Sequence, residues 1–292
     1  MDTQTIKNNL ENNGYCIIEN ILNPNEIFKA KELFYDWYES INNIDFIHSK
    51  INPHNIFKFH QVGHQEFAWY LRTRPQIINT FASIWNTTND NLVCSFDGSC
   101  YIKENNNKLN TKCWTHTDQA PKNKGLTCYQ GFVSLTNNKD NSLVVYENSH
   151  LLHEPYFRLI NKSSDSKNWQ LINHDYLDTI QDKKKILNVP AGSLVLWDSR
   201  TFHQNTHSNV NEERLVQYIS MLPKNNKLNS LVMQKKRHKY FNELRTTSHW
   251  AYPIKVNSLQ PQTYGNNDLL IDYSPLKKPN LDKYIDTIKT LI

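Results

Sequence analysis

The stretch Trp114-Thr115-His116-Thr117-Asp118-Gln119 decides how this chain is read. It closes a run of β-forming residues, Lys112 to His116. Residues two apart on a strand share a face. His116 and Asp118 therefore offer an imidazole and a carboxylate to one point. Far downstream, the apolar strand Ser193 to Trp197 runs through Asp198-Ser199-Arg200-Thr201-Phe202 into His203. Arg214 follows eleven residues later, at the head of another apolar run.

Two histidines and one carboxylate form the donor set that grips iron(II) on one side and leaves positions open for substrate and dioxygen. His116, Asp118 and His203 are thus the expected metal ligands. Arg214 would bring back toward them a planar fork shaped for a carboxylate. Short β-rich runs surround these motifs: Leu92–Phe96, Ser99–Lys103, Thr127–Leu135, Ser142–Tyr146 and Leu215–Met221. Turn residues separate them, the pattern of a sandwich or barrel. A polar insert, residues 161–185, interrupts the series. Upstream, Asn23-Pro24-Asn25-Glu26 announces a capped helix. The spacing of Ile27, Ala30, Leu33, Phe34, Trp37, Tyr38 and Ile41 continues it as one apolar stripe. A second helix is predicted over Glu66 to Trp85, with a break at Pro75. Residues 42–65 read as a loop carrying several histidines. Lys224 to Leu244 reads as one polar helix.

Taken together, several segments resemble the phytanoyl-CoA dioxygenase family of iron(II)/2-oxoglutarate oxygenases. They are His116-Thr117-Asp118-Gln119, Tyr129-Gln130-Gly131, Ser142-Leu143-Val144-Val145-Tyr146 with Asn148-Ser149-His150, and Pro190-Ala191-Gly192-Ser193-Leu194 leading into His203 and Arg214. The resemblance covers about residues 10–222. It implies an all-β core with flanking helices, a double-stranded β-helix or jelly-roll of cupin-like form. It also implies iron at His116, Asp118 and His203, and Arg214 on the distal carboxylate of 2-oxoglutarate, with O2 as the other reactant. Family members that halogenate lack the carboxylate ligand. Asp118 is present here, so hydroxylation is the expected chemistry. The same resemblance places Gln130 near the cosubstrate, with core satisfaction an equal alternative. Tyr101 and Ser208 are further candidates for cosubstrate contact. Arg200 is expected to tie its loop through a salt bridge, His150 to serve as a hydrogen-bonding turn residue, and Trp114 and Trp197 to pack. Phe57, Phe59, Trp69 and Tyr70 are candidates for an apolar pocket, or for packing of the N-terminal helices.

The remaining features narrow the function. The expected organisation is a single oxygenase domain with N-terminal helices over 1–90, a jelly-roll core over 91–222 and an extension over 223–292. A hydrophobic fraction of 38% with 7 Trp, 15 Tyr and 12 Phe suffices for a substantial core. The net charge of +5 is too modest to demand a polyanion. The run Lys235-Lys236-Arg237-His238-Lys239 is expected to be a solvated helix face, so a nucleic-acid partner is not expected. The 5 cysteines lack CxxC spacing and argue against a zinc knuckle or disulfide framework. No G-x-G-x-x-G or Walker pattern is present. Neither a signal peptide nor an 18-residue apolar run is visible, which points to a cytoplasmic protein off the membrane. The expected partner is a small-molecule substrate, and the expected state a monomer or weak homodimer.

Overall fold

The structure, a computed structural model, describes residues 1–52, 54–104, 113–206 and 211–292. Its strands in chain order are β1 (Tyr15–Ile18), β2 (Ile56–Phe57), β3 (Leu92–Cys94), β4 (Ser99–Ile102), β5 (His116–Thr117), β6 (Tyr129–Ser134) and β7 (Leu143–Tyr146). They continue as β8 (Gln170–Leu171), β9 (Lys184–Ile186), β10 (Leu194–Asp198), β11 (His203–Asn205), β12 (Arg214–Ile219) and β13 (Met221–Pro223). Contacts divide the chain into two units. One holds Met1–Glu19 and Ile102–Arg214, the other Asn20–Tyr101 and Leu215–Ile292.

In the first unit β1, β10 and β6 lie side by side and antiparallel. A separate five-stranded sheet runs β8-β5-β11-β7-β9, also antiparallel. The result is a mixed fold of antiparallel sheets and helices that resembles a jelly-roll, with no closed barrel among the described residues. The insert 161–185 is structured: it contributes β8, the helix His174–Asp178 and the start of β9. Ile172, Leu177 and Ile180 from it are buried with Tyr146, Tyr156, Phe157 and Phe202. Its polar composition hid these three scattered apolar positions. The helix Thr3–Asn13 ends at Gly14, whose φ of 82° suits glycine. A Cβ there would stand 2.5 Å from His150 Nδ1 and 2.8 Å from Thr201 Oγ1. The Gly14 carbonyl accepts hydrogen bonds from Asp198 N and Thr201 Oγ1, both at 2.9 Å. The backbone approach that steadies the segment before His203 therefore requires a residue without a side chain.

In the second unit the capped helix is present as Pro24–Glu39. Asn23 Oδ1 accepts from Glu26 N, and Glu26 Oε2 accepts from Asn23 N, both at 3.0 Å. Its buried stripe is Ala30, Phe34, Trp37 and Tyr38. The second predicted helix is two, Glu66–Arg72 and Pro75–Ile84, parted where Pro75 opens the latter. Residues 42–65 hold the helix Ile44–Ile51 and β2 rather than loop alone. The polar helix is shorter than expected, Leu231–Asn242. In its basic run Arg237 is fully buried and donates to Asn229 Oδ1 and the Ala251 carbonyl. One of the five supposed surface residues is therefore a structural clamp. Phe57, Trp69 and Tyr70 are buried in this unit: Phe57 meets Trp37 and His48, and Trp69 meets His64, Phe96 and Phe241. Among the described residues, no helix is long and apolar enough to cross a membrane.

This unit also predicts acid lability. Burial pushes His48 and His60 down to about 4, and His64 down to about 3. His48 Nε2 faces the Tyr101 carbonyl and its Nδ1 faces the Asn52 amide N–H, a pairing only the neutral ring can make. Below pH 6.5 the unfolded chain binds protons that these rings refuse, so stability falls with pH from there toward 4. Each ring costs up to about 1.4 kcal/mol per pH unit across that window. The melting temperature is expected to drop steeply between pH 6.5 and 4, and His48→Gln to flatten the slope. An unchanged slope in that variant would remove His48 from the account.

Candidate metal centre

His116 and His203 stand directly opposite each other on β5 and β11. Antiparallel partners point to the same face. Their rings accordingly lie 4.3 Å apart, and Asp118, two residues on from His116, brings its carboxylate to the same point. Asp118 Oδ2 is 3.6 Å from His116 Nε2 and 3.5 Å from His203 Nε2. One ligand atom from each residue falls within 4.8 Å of the others, and all three residues are buried. A metal with bonds of about 2.1 Å holds adjacent donors ~3.0 Å apart, so the set fits an ion after a small contraction.

Hydrogen bonds orient every donor. His116 Nδ1 meets the Trp114 carbonyl at 3.1 Å, and His203 Nδ1 meets the Thr201 carbonyl at 2.9 Å. A carbonyl only accepts, so the proton sits on Nδ1 and each Nε2 lone pair faces inward. Burial, then the neighbouring His203, pushes the His116 imidazole below its ordinary value, which keeps the ring neutral and able to ligate. On Asp118, Gln130 Nε2 donates to Oδ2 at 3.0 Å. Trp197 stands directly across the ladder from Gln130 and donates its indole N–H to Gln130 Oε1 at 2.9 Å. Indole can only donate, so this bond sets which way the Gln130 amide faces. Trp197 was expected to pack, and it does, between Phe132 and His203. Its second task, orienting a glutamine that orients a carboxylate, is a property of strand register.

Two further glutamines belong to the frame. Gln204 Oε1 accepts from Trp114 N, Thr115 Oγ1 and Cys113 Sγ, pinning the strand that leads to His116. Gln119 bonds the carbonyls of Asn123 and Gly125 and accepts from Thr127 N and Ser199 Oγ, which closes the loop after Asp118. Arg200 makes the anticipated salt bridge with Asp198, at 2.6 Å. His150 Nε2 bonds the Glu11 carbonyl, as a turn histidine would.

Arg214 is fully buried at the head of β12, with its guanidinium 5.5 Å from the Phe132 ring. Among the described residues, none of its three side-chain nitrogens has a hydrogen-bond partner. Glu212 anchors its approach: the carboxylate accepts from the backbone N–H groups of Lys139, Asp140 and Asn141. Tyr101 belongs to the second unit, its ring packed against Phe34 and Tyr38. Ser208 lies outside the described residues, as does His207.

Removing the Gln130 amide is a direct test of this frame. Gln130→Leu is expected to weaken metal binding by roughly 10–100-fold, the usual cost of losing a group that orients a ligand. Gln130→Glu, which still accepts from the indole N–H but sets a second carboxylate against Asp118 in place of the amide donor, is expected to be at least as damaging. Metal affinity by competition with a chelator measures both.

Comparison with known proteins agrees with this architecture. No family model matches the chain. It is 31% identical over 178 residues to Ava biosynthesis cluster protein O of Aspergillus versicolor, and the match takes in 57% of each sequence, so the chain spans little more than half of that relative's length. Among solved structures, the product of GlcNAc Inducible Gene 2 from Candida albicans superposes with a TM-score of 0.65 at 14% identity, over 100% of this chain and 77% of the other. The epimerase SnoN, in complex with Fe3+, α-ketoglutarate and nogalamycin RO, superposes with a TM-score of 0.53 at 14% identity, over 76% and 83%. The chain thus shares its fold with these solved structures, one of which holds Fe3+ and α-ketoglutarate, and it draws two histidines and one aspartate to a single point.

Proposed function

We propose that this chain is an iron(II)- and 2-oxoglutarate-dependent dioxygenase that hydroxylates an aliphatic carbon of a small organic substrate, its core a double-stranded β-helix. The observation that carries the reading is Arg214: a guanidinium, fully buried, with no partner for any of its nitrogens among the described residues. Burying an unpaired charge is so costly that proteins pair or neutralise it. A bound dicarboxylic acid supplies the missing partner, and His116, Asp118 and His203 supply the metal that its keto-acid end requires. Iron in that set supplies the activation of dioxygen. The overall balance is R–H, 2-oxoglutarate and O2 giving R–OH, succinate and CO2.

The chain's own contribution is placement. Trp114 and Thr201 carbonyls hold the two imidazoles, Gln130 holds the carboxylate, and Arg214 receives the far carboxylate of the cosubstrate in a fork geometry. Burial of all three ligands keeps bulk water from the reacting centre. The small-molecule assignment is supported by the relative named for a biosynthesis cluster and by SnoN, crystallised with nogalamycin RO. Turnover is tested by loading purified protein with iron(II) and measuring succinate from 2-oxoglutarate under oxygen. Pools of fatty acids, their thioesters, amino acids, amines, sugars, peptides and oligonucleotides are then added, and product is sought as a gain of one oxygen. Stimulation by oligonucleotides or folded protein alone would overturn the small-molecule assignment. Bound zinc that iron cannot replace with recovery of turnover would overturn the catalytic one.

A further inference from the structure

The five-stranded sheet sets a row of residues side by side: Leu171, His116, His203, Val145 and Lys185 are paired in register across β8, β5, β11, β7 and β9. All therefore point to the face that carries the metal ligands. Period two along the β8 segment carries Trp169 to the side of Leu171. The ring contact agrees, since the Trp169 indole lies 5.6 Å from the His116 imidazole. Gln170, between them, points the other way and is buried. Trp169 and Leu171 are nonetheless 40% and 50% exposed, beside ligands that are about 5% exposed.

The segment is held firmly for one that leaves two large apolar side chains part-exposed, the Trp169 ring with the Lys167 ammonium 5.6 Å from its centroid. Asn168 Oδ1 accepts from Ala120 N at 3.1 Å, and Gln170 Nε2 donates to the Lys167 carbonyl at 2.9 Å. Ile172 N donates to the Thr115 carbonyl, and Lys122 N to the Asp165 carbonyl. Two residues before His116, Trp114 stacks on the imidazole at 4.9 Å and 17°. The approach to the ion site is thus a rigid ledge with an indole on it.

We infer that Trp169, with Leu171 beside it, is the specificity platform of this site, and that the substrate presents to it a flat, apolar ring system. This rests on His116, Asp118 and His203 being the reaction centre. An indole offers a wide planar face that a fused ring covers more completely than a chain or a sugar does. The ledge then sets the height at which the ring's substituents meet the metal-facing donors.

Ligand-observed NMR tests this with 2-naphthol as the flat probe and cyclohexanol as the puckered control, on the full chain loaded with manganese(II). The wild type is expected to bind naphthol the more tightly, with its ring protons relaxed by the metal. Trp169→Ala is expected to weaken naphthol about tenfold, and Trp169→Phe to recover much of the loss. Metal uptake is measured in parallel, and affinity is measured again without metal. Equal naphthol affinity in wild type and Trp169→Ala, or no preference over cyclohexanol, overturns the platform. Failure of the chain to take up metal overturns the reaction centre, whatever the probe does.

Discussion

Arg214→Ala is expected to raise the 2-oxoglutarate concentration for half-maximal turnover by about 30-fold to 5,000-fold, the equivalent of roughly 2–5 kcal/mol for a buried charge pair broken on one side. A second measurement gives the opposite sign. The guanidinium is buried and, among the described residues, none of its nitrogens has a hydrogen-bond partner. Replacing such a group by an apolar side chain of similar length relieves its desolvation cost. Arg214→Met is therefore expected to melt no lower than the wild type, and to lose the stabilisation that saturating 2-oxoglutarate gives the wild type. At one hundred times the dissociation constant that stabilisation is about 2.7 kcal/mol. A plainly structural arginine would behave otherwise, losing stability in both variants with unchanged cosubstrate affinity. Wild-type turnover parameters in Arg214→Ala would move the carboxylate-binding role elsewhere, with Arg200 the next to test once freed from Asp198.

His203→Ala is expected to strip the ion. Three donors share the binding free energy, which in small zinc sites totals about 10–16 kcal/mol, so losing one removes roughly 3 kcal/mol or more and at least about a hundredfold in affinity. Asp118→Ala is expected to do the same and to leave Gln130 Nε2, now aimed at Asp118, without that acceptor. Metal content after anaerobic dialysis, with circular dichroism to verify the fold, measures both. Retention of a full equivalent of iron by His203→Ala would sink the ligand assignment. His150→Ala is the control: its ring bonds the Glu11 carbonyl, so metal content should hold while the melting temperature falls.

Much of the centre was legible because it depends on local rules. The two-residue spacing of His116 and Asp118 needs only the pleat of a strand. The capping box at Asn23 and Glu26 needs only three residues. Pro75 parts two helices because its ring bars continuation. Where the reading went astray, composition concealed burial. The insert 161–185 looked like a polar interruption, yet it supplies β8, the neighbour of His116's own strand. The basic run at 235–239 looked solvated, yet Arg237 is buried among carbonyl and amide oxygens.

The sequence by itself picked out the candidate residues: an imidazole and a carboxylate on one strand face, a distant histidine and an arginine soon after it. Only the tertiary structure decided how they are held. That His203 faces His116, that Trp197 lies across from Gln130, and that Leu171 lies beside His116 are facts of register between strands far apart in the chain. Register follows from long-range pairing and side-chain packing, and a one-residue slip would turn each of these side chains to the opposite face.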